Sequence, residues 1–113
     1  MTSKQNSRNK NTKHGESIDR IVERLSYLDP KLDYREHNFD IDGKHGELDY
    51  LIIHHHRALI FETKASIRPK RVKRGRGQLV KAERFVRHNY PFIDSVYKFY
   101  VHYKNGVNTY YRI

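Results

Sequence analysis

The sequence contains no cysteine, no tryptophan and only one methionine among its 113 residues. The absence of cysteine excludes disulfides, thiolate zinc sites and cysteine nucleophiles, and it fits a reducing interior. No apolar run approaches the roughly 18 residues of a membrane span, so we expect no membrane partner. The first residues lack an apolar signal region, which predicts an intracellular protein of the cytoplasm or nucleoid, or of the host cytoplasm if the source is viral.

Acidic residues are also scarce, because 13 Asp and Glu stand against 23 Lys and Arg, and the net charge is +10. This excess favours a polyanionic partner, and nucleic acid over a membrane surface. The length suffices for one domain and not two. Residues 1–13 are basic and polar, which predicts a flexible arm that either touches a nucleic-acid backbone or has no role. Residues 14–113 are predicted to form the single domain.

Apolar residues at helical spacing predict two amphipathic helices. The first spans residues 14–28 and ends before Pro30, because a residue that precedes proline disfavours the helical region. The second spans residues 78–89. The preceding residues 66–77 contain a proline and two glycines among many bases, which predicts a loop.

Apolar runs bounded by turn residues predict five strands. Asn105-Gly106 is a strong hairpin signal between the last two. The resulting order is α-β-β-β-α-β-β, an α/β arrangement with a mixed sheet. The predicted strands cover residues 34–40, 47–54, 58–64, 96–103 and 107–113.

Two of these strands carry charges where the strands are predicted to meet. Asp49 lies in one apolar run, and Glu62 and Lys64 end the next. Residues at i and i+2 point to the same side of a strand. A buried charge is costly unless it is paired or bound to a metal. The trio is therefore either a structural ion pair or the site of a metal-dependent phosphodiesterase.

The segment Gly46-Glu47-Leu48-Asp49, followed by a hairpin and Phe61-Glu62-Thr63-Lys64, resembles the PD-(D/E)xK nuclease superfamily. The resemblance spans residues 14–103, with Leu48 where the family usually has proline. It implies a restriction-endonuclease-like αβββαβ core with a central mixed sheet, here with a C-terminal hairpin. It also implies a Mg²⁺- or Mn²⁺-dependent deoxyribonuclease.

The size and basic balance are similar to those of archaeal Holliday-junction resolvases and their small viral relatives. This resemblance implies branched or duplex DNA as the substrate, a role in recombination or repair, and a homodimer. Two alternatives stay open from different classes. One is a non-catalytic nucleic-acid-binding module with the nuclease fold, and the other is a basic ribonucleoprotein component.

The resemblance assigns roles to individual residues. Asp49 and Glu62 would be metal ligands, and Lys64 the catalytic lysine. Glu16 is the candidate for a further metal ligand from the first helix, although an acid in a first helical turn also suits the helix dipole. Gln78 would steady the lysine or the scissile phosphate, unless it simply begins a solvated helix.

Other polar groups carry weaker signals. Glu47 either supplements the metal site or is a charge at the strand entry. The tract His54–His56 is predicted to be a hairpin end. The aromatic residues of the last two strands fit core packing or an interface better than base stacking.

A basic stretch follows Glu62 and Lys64 in the sequence. Clustered cations bind phosphates largely by releasing counterions, so affinity is expected to fall with salt. Phosphate contacts position a nucleic acid without reading its sequence. The predicted DNA-binding residues are Arg68, Lys70, Arg71, Lys73, Arg74, Arg76 and Lys81.

Overall fold

A computed structural model describes residues 12–30 and 32–113. These residues contain two α-helices, α1 at Thr12–Arg24 and α2 at Pro69–Asn89, and a short 3-10 helix at Ser26–Leu28 follows α1. No helix among these described residues is long and apolar enough to cross a membrane.

Five strands form a single sheet in the order β1-β2-β3-β4-β5. The pair β3–β4 is parallel and the other three pairs are antiparallel. The predicted element order, the α/β class and the mixed sheet are confirmed, and the architecture is compatible with a restriction-endonuclease-like core. The strands are β1 Leu32–Ile41, β2 Lys44–His54, β3 Arg57–Lys64, β4 Ser95–Lys104 and β5 Val107–Arg112.

The sheet is covered on both faces, which explains the continuous burial of residues 48–53 in β2. Side chains of β2 alternate between the two cores. Leu51 and Ile53 join a cluster with α2, whereas Tyr50 and Ile52 join a cluster with α1. The two helices are therefore fixed on opposite faces, and each begins near the same end of the sheet as the charged residues of β2 and β3.

The predicted loop at residues 66–77 is wrong from Pro69 onwards, because α2 already begins there. Proline suits the first helical position, where its missing N–H has no intrahelical acceptor. Gly75 is buried, and a Cβ at this position would lie 2.5 Å from the ring of Tyr100. The glycine thus reflects close packing of the helix on β4 and not a loop.

The remaining boundaries differ by smaller amounts. The first helix ends at Arg24 instead of residue 28, and the chain turns at Asp29, whose φ is 50°. The tip of the last hairpin is confirmed, since Asn105 and Gly106 both have positive φ, as its tight turn requires. Most of the predicted arm at residues 1–13 lies outside the described residues, and α1 already includes its last two positions.

Gly75 and Gly77 offer a matched test of this packing. Gly75→Ala should destabilise the protein by about 1–3 kcal/mol, because the new methyl group meets a buried ring. Gly77→Ala should stabilise it by about 0.5–1 kcal/mol, because a Cβ there meets nothing within 4 Å and alanine favours the helix. Urea unfolding of both variants measures the difference. A stabilising Gly75→Ala substitution would contradict the close approach to Tyr100.

Candidate active site

The candidate site lies where β2 and β3 diverge. Their ladder ends at the pair Tyr50–Phe61, so Asp49 and Glu62, which would form the next pair, are not paired. The Asp49 carboxylate then accepts a hydrogen bond from the backbone N–H of Thr63, with 2.7 Å between N and Oδ2. A side chain thus replaces the next ladder bond and holds a buried carboxylate between the two strands.

Glu62 and Lys64 complete the predicted trio on β3. Glu62 is only 4% exposed, and Asp49 is 8% exposed. The Nζ of Lys64 lies 3.2 Å from Oε2 of Glu62. The structure therefore brings these three side chains together with two buried acids and one partly exposed cation.

The charges of the trio do not balance. Burial, and then the negative charge of Asp49, raise the pKa of Glu62 to about 8, although Lys64 and His14 lower it. These two cations therefore do not fully offset the two buried carboxylates where β2 and β3 diverge. An additional cation near Asp49 and Glu62 would stabilise their ionised forms.

His14 is a site residue for which no role is predicted from the sequence. Its Nε2 lies 2.9 Å from Oδ1 of Asp49, and its Nδ1 lies 3.2 Å from Oε1 of Glu36. The hydrogen bond to Asp49 raises the pKa of His14 above its usual range, against the opposing effect of burial. A signal was available, because His14 precedes the buried Ile18 by one helical turn and so continues the apolar face of α1.

Glu36 lies opposite Asp49 in β1 and distorts the strand there. It has a φ of 48°, which non-glycine residues rarely adopt. It is also skipped in the register between β1 and β2, which passes from Arg35–Tyr50 directly to His37–Leu48. The irregularity turns the Glu36 carboxylate towards His14.

A polar network fixes α1, and with it His14, on the sheet. Ser17 is buried and hydrogen-bonded to the hydroxyl of Thr63. Its hydroxyl donates to Oδ1 of Asn108 at 2.7 Å, and Nδ2 of Asn108 donates to the Ser17 carbonyl at 2.9 Å. The C-terminal hairpin therefore helps to place a residue of the first helix in the site.

Glu16 lies outside the trio. It is exposed and accepts a hydrogen bond from the Tyr103 hydroxyl at 2.5 Å. Within residues 12–30 and 32–113, no three His, Asp or Glu side chains form a group that could hold a metal ion. The structure thus gathers Asp49 and Glu62 without Glu16, whose role as a ligand stays a prediction.

Gln78 and Lys81 face the beginning of β2. They line a cavity of about 300 Å³ with His45, Gly46 and Glu47. The Nζ of Lys81 donates to the His45 carbonyl at 3.0 Å. Oε1 of Gln78 is buried and has no hydrogen-bond partner among the described residues. The side chain makes no hydrogen bond to Lys64, so its catalytic role stays a prediction.

The predicted basic residues lie on α2 or directly before it, and most are exposed. Lys64, Ser66, Arg68 and Arg71 border a cavity of about 450 Å³ beside the trio. Further along α2, the cations Arg84 and Arg87 are paired with acids within the protein. No ion pair with a described residue is formed by Arg68, Lys70, Arg71, Lys73, Arg74 or Arg76.

The histidine tract and the aromatic residues stand apart from this site. His55 and His56 form the turn between β2 and β3, as predicted for a hairpin end. Phe99 stacks on Phe61 with 5.1 Å between ring centroids, and Tyr103 is 7% exposed. These aromatic side chains pack in or against the core, which confirms the core-packing interpretation for them.

The family model described as the nuclease-related domain, NERD, matches residues 12–109. The chain belongs to the nuclease-related domain family. This membership is consistent with the PD-(D/E)xK-like superfamily. Comparisons with curated proteins and with solved structures find no match.

The segment matched by the nuclease-related domain contains α1, the three central strands and α2. Asp49, Glu62 and Lys64 therefore all lie within it. The membership indicates a nuclease-related function and an interaction with nucleic acid. The narrower resemblance to Holliday-junction resolvases and viral proteins receives no support from these comparisons.

The buried Glu62 predicts a pH dependence of stability in the absence of divalent cations. Its folded-state pKa of about 8 exceeds the ordinary value of 4.5, so folding takes up a proton between these values. Stability should then fall as pH rises through this window, by a few kcal/mol at about 1.4 kcal/mol per pKa unit. Glu62→Gln should remove that fall, as measured by thermal unfolding in EDTA from pH 5 to 8.5.

Glu23→Gln, at an exposed glutamate of α1, is the matched control and should behave as the wild type. The raised pKa of His14 contributes in the same direction, because its stabilisation is present at low pH and is lost as the imidazolium deprotonates. This contribution stays in the Glu62→Gln protein. An unchanged pH slope in that variant would contradict the assignment to Glu62.

Proposed function

We propose that this nuclease-related domain is a metal-dependent DNA endonuclease that hydrolyses phosphodiester bonds, and that Asp49, Glu62 and Lys64 form its active site. The observation that carries the proposal is the pair of buried carboxylates where β2 and β3 diverge. Lys64 is paired with Glu62 and His14 with Asp49, yet the pKa of Glu62 is still raised to about 8. A bound metal ion would stabilise the ionised forms of both acids.

Asp49 and Glu62 are the residues that would hold Mg²⁺ or Mn²⁺. Carboxylate oxygens are the ligands these hard cations prefer, and Mg²⁺ usually keeps several waters. The raised pKa of Glu62 supports the fit, because burial and the nearby Asp49 disfavour its ionised form, which a bound cation would stabilise. When bound, the metal ion lowers the pKa of a water and polarises the phosphoryl oxygen.

The protein side chains supply positioning and charge. Thr63 and His14 hold the two oxygens of Asp49 in place, which fixes the carboxylate before a substrate arrives. Lys64 reaches the partly exposed side of the site, where its ammonium orients the attacking water or neutralises charge on the phosphate. Arg68 and Arg71, which border the cavity beside Lys64, hold the neighbouring backbone phosphates.

Duplex or branched DNA is the proposed substrate, and a homodimer would supply two sites for cuts on two strands. The choice of branched DNA rests only on analogy with other nucleases of this fold. Phosphate contacts from exposed cations carry no sequence information. We therefore propose recognition of DNA shape.

A non-catalytic nucleic-acid-binding module is the second candidate, and one observation favours it. Both oxygens of Asp49 already have protein partners, Thr63 and His14, and Glu62 is paired with Lys64. A retained but inactive site would look the same. The cation excess of α2 suits either function.

The proposed activity is tested by a cleavage assay at low salt. Labelled four-way junction, flap, linear duplex and single-stranded DNA are incubated with Mg²⁺, Mn²⁺ or EDTA. We expect metal-dependent cuts that Asp49→Asn, Glu62→Gln and Lys64→Ala each reduce at least about a hundredfold, because each removes part of the charge stabilisation. The matched controls Glu23→Gln and Lys104→Ala, at exposed residues, should cut as the wild type does.

Three results separate the candidates. Cuts that persist in all three site variants would place the chemistry elsewhere or in a contaminant. Tight DNA binding without cuts under any metal would favour the binding module. The ranking of the four substrates identifies or excludes branched DNA.

Metal binding is tested separately from activity. At pH 8, addition of Mg²⁺ or Mn²⁺ should raise the unfolding temperature of the wild type, because a ligand that binds only the folded state stabilises it. A cation concentration of about 100 times the dissociation constant would add about 2.7 kcal/mol. Asp49→Asn and Glu62→Gln should lose this shift, whereas Glu23→Gln should keep it. An equal shift in all four proteins would exclude Asp49 and Glu62 as ligands.

A further inference from the structure

We propose that the backbone of one nucleic-acid strand runs from the candidate site along a single flank of α2, where Arg71, Arg74 and Lys81 bind successive phosphates. This inference rests on the proposed function, since it takes nucleic acid as the substrate. It goes further by naming which cations touch the strand and which do not. We call these three residues, together with Gln78 between them, the α2 flank.

Helical geometry defines the α2 flank. Positions 71, 74, 78 and 81 are separated by three, four and three residues, so their side chains form one row on the helix. The buried row of α2 includes Gly75, Leu79 and Ala82, which face the sheet. The α2 flank runs beside this buried row, and its members Gln78 and Lys81 lie over β2.

Contacts at both ends fix the direction of the row. At its first end, Arg71 borders the same cavity as Lys64. At its other end, Gln78 and Lys81 line a cavity with residues 45–47 of β2. A strand that leaves the site beside Lys64 therefore meets Arg71 first and Lys81 last.

The length of the row determines how much of a nucleic-acid strand it can contact. The ten-residue step from Arg71 to Lys81 corresponds to about 15 Å at 1.5 Å per residue. The α2 flank is therefore long enough to contact more than one phosphate of a strand on one side of the scissile phosphate.

The cations of the α2 flank are available to bind phosphates. Arg71 and Arg74 make no ion pair with a described residue, and Lys81 donates only to an uncharged carbonyl. The next cation along α2, Arg84, is neutralised by Asp42. Glu47 lines the cavity beside Gln78 and Lys81, so its negative charge weakens the attraction for phosphate at the Lys81 end of the row.

Two cations predicted from the sequence to bind DNA lie off this row. Lys73 precedes Gly77 and Val80 on the row that points away from the sheet, where residues 77 and 80 are exposed. Arg76 precedes Glu83 by two turns, on the side of Lys98 and β4. The structure therefore divides cations that are close neighbours in sequence.

The test is a binding measurement on the full chain carrying Glu62→Gln, which prevents cuts. Fluorescence anisotropy of a fluorescein-labelled 20-base-pair duplex gives the dissociation constant at several salt concentrations. Arg71→Gln and Arg74→Gln are compared with Lys73→Gln and Arg76→Gln, which remove the same charge from the same helix. Circular dichroism and unfolding temperature confirm that each variant is folded.

We expect the two flank variants to weaken binding at least about fivefold and to reduce the slope of log K against log salt by about 0.9 each. The two off-row variants should change affinity less than about twofold. Equal losses in all four variants would overturn the inference in favour of diffuse attraction to a basic helix. A larger loss in Lys73→Gln or Arg76→Gln would place the strand on another face.

The binding measurement tests the path of the strand independently of whether the protein cleaves DNA. If the wild type binds but never cuts, a selective loss in the flank variants still supports the path of the strand. If the wild type cuts and the four variants bind alike, the proposed activity stands and the inference fails. Absence of any duplex binding by the parent Glu62→Gln protein would overturn the inference, whereas the proposed activity is decided by the cleavage assay on the four DNA substrates.

Discussion

The hydrogen bond from the Thr63 backbone to the Asp49 carboxylate is the constraint on which the site depends. It forms where the β2–β3 ladder has ended, and it satisfies a strand N–H that would otherwise lack a partner. The bond fixes Asp49 between two diverging strands. Glu62, which precedes Thr63, is thereby held close enough to Asp49 for their charges to interact.

Burial of these carboxylates requires the rest of the fold. The two helices cover opposite faces of the sheet, and Asp49 and Glu62 are buried in the resulting structure. Ser17 and Asn108 tie α1 to the C-terminal hairpin, and so place His14 on Asp49. Gly75 allows α2 to approach β4 near Glu62. Elements from both ends of the domain thus determine the environment of two side chains.

Negative and positive charges near the site lie at different depths in the molecule. Acids are buried where β2 and β3 diverge, whereas unpaired cations are exposed along the first turns of α2. Glu83 neutralises Arg87 and Lys98 on the β4 side of the helix, which confines the available positive charge to other faces. A polyanion is therefore attracted to the surface that borders the buried acids. This arrangement of charges is consistent with the nuclease-related function that membership of the family indicates.

The sequence by itself determined the element order, the mixed sheet and the meeting of Asp49, Glu62 and Lys64, because strand periodicity and i, i+2 spacing are local properties. It misplaced the start of α2, since Pro69 and Gly75 signal a loop unless their packing is known. Only the tertiary structure decided that His14 reaches Asp49 and that Glu16 instead meets Tyr103. Those contacts join residues far apart in sequence, and their geometry depends on how α1 docks on the sheet, which no local pattern specifies.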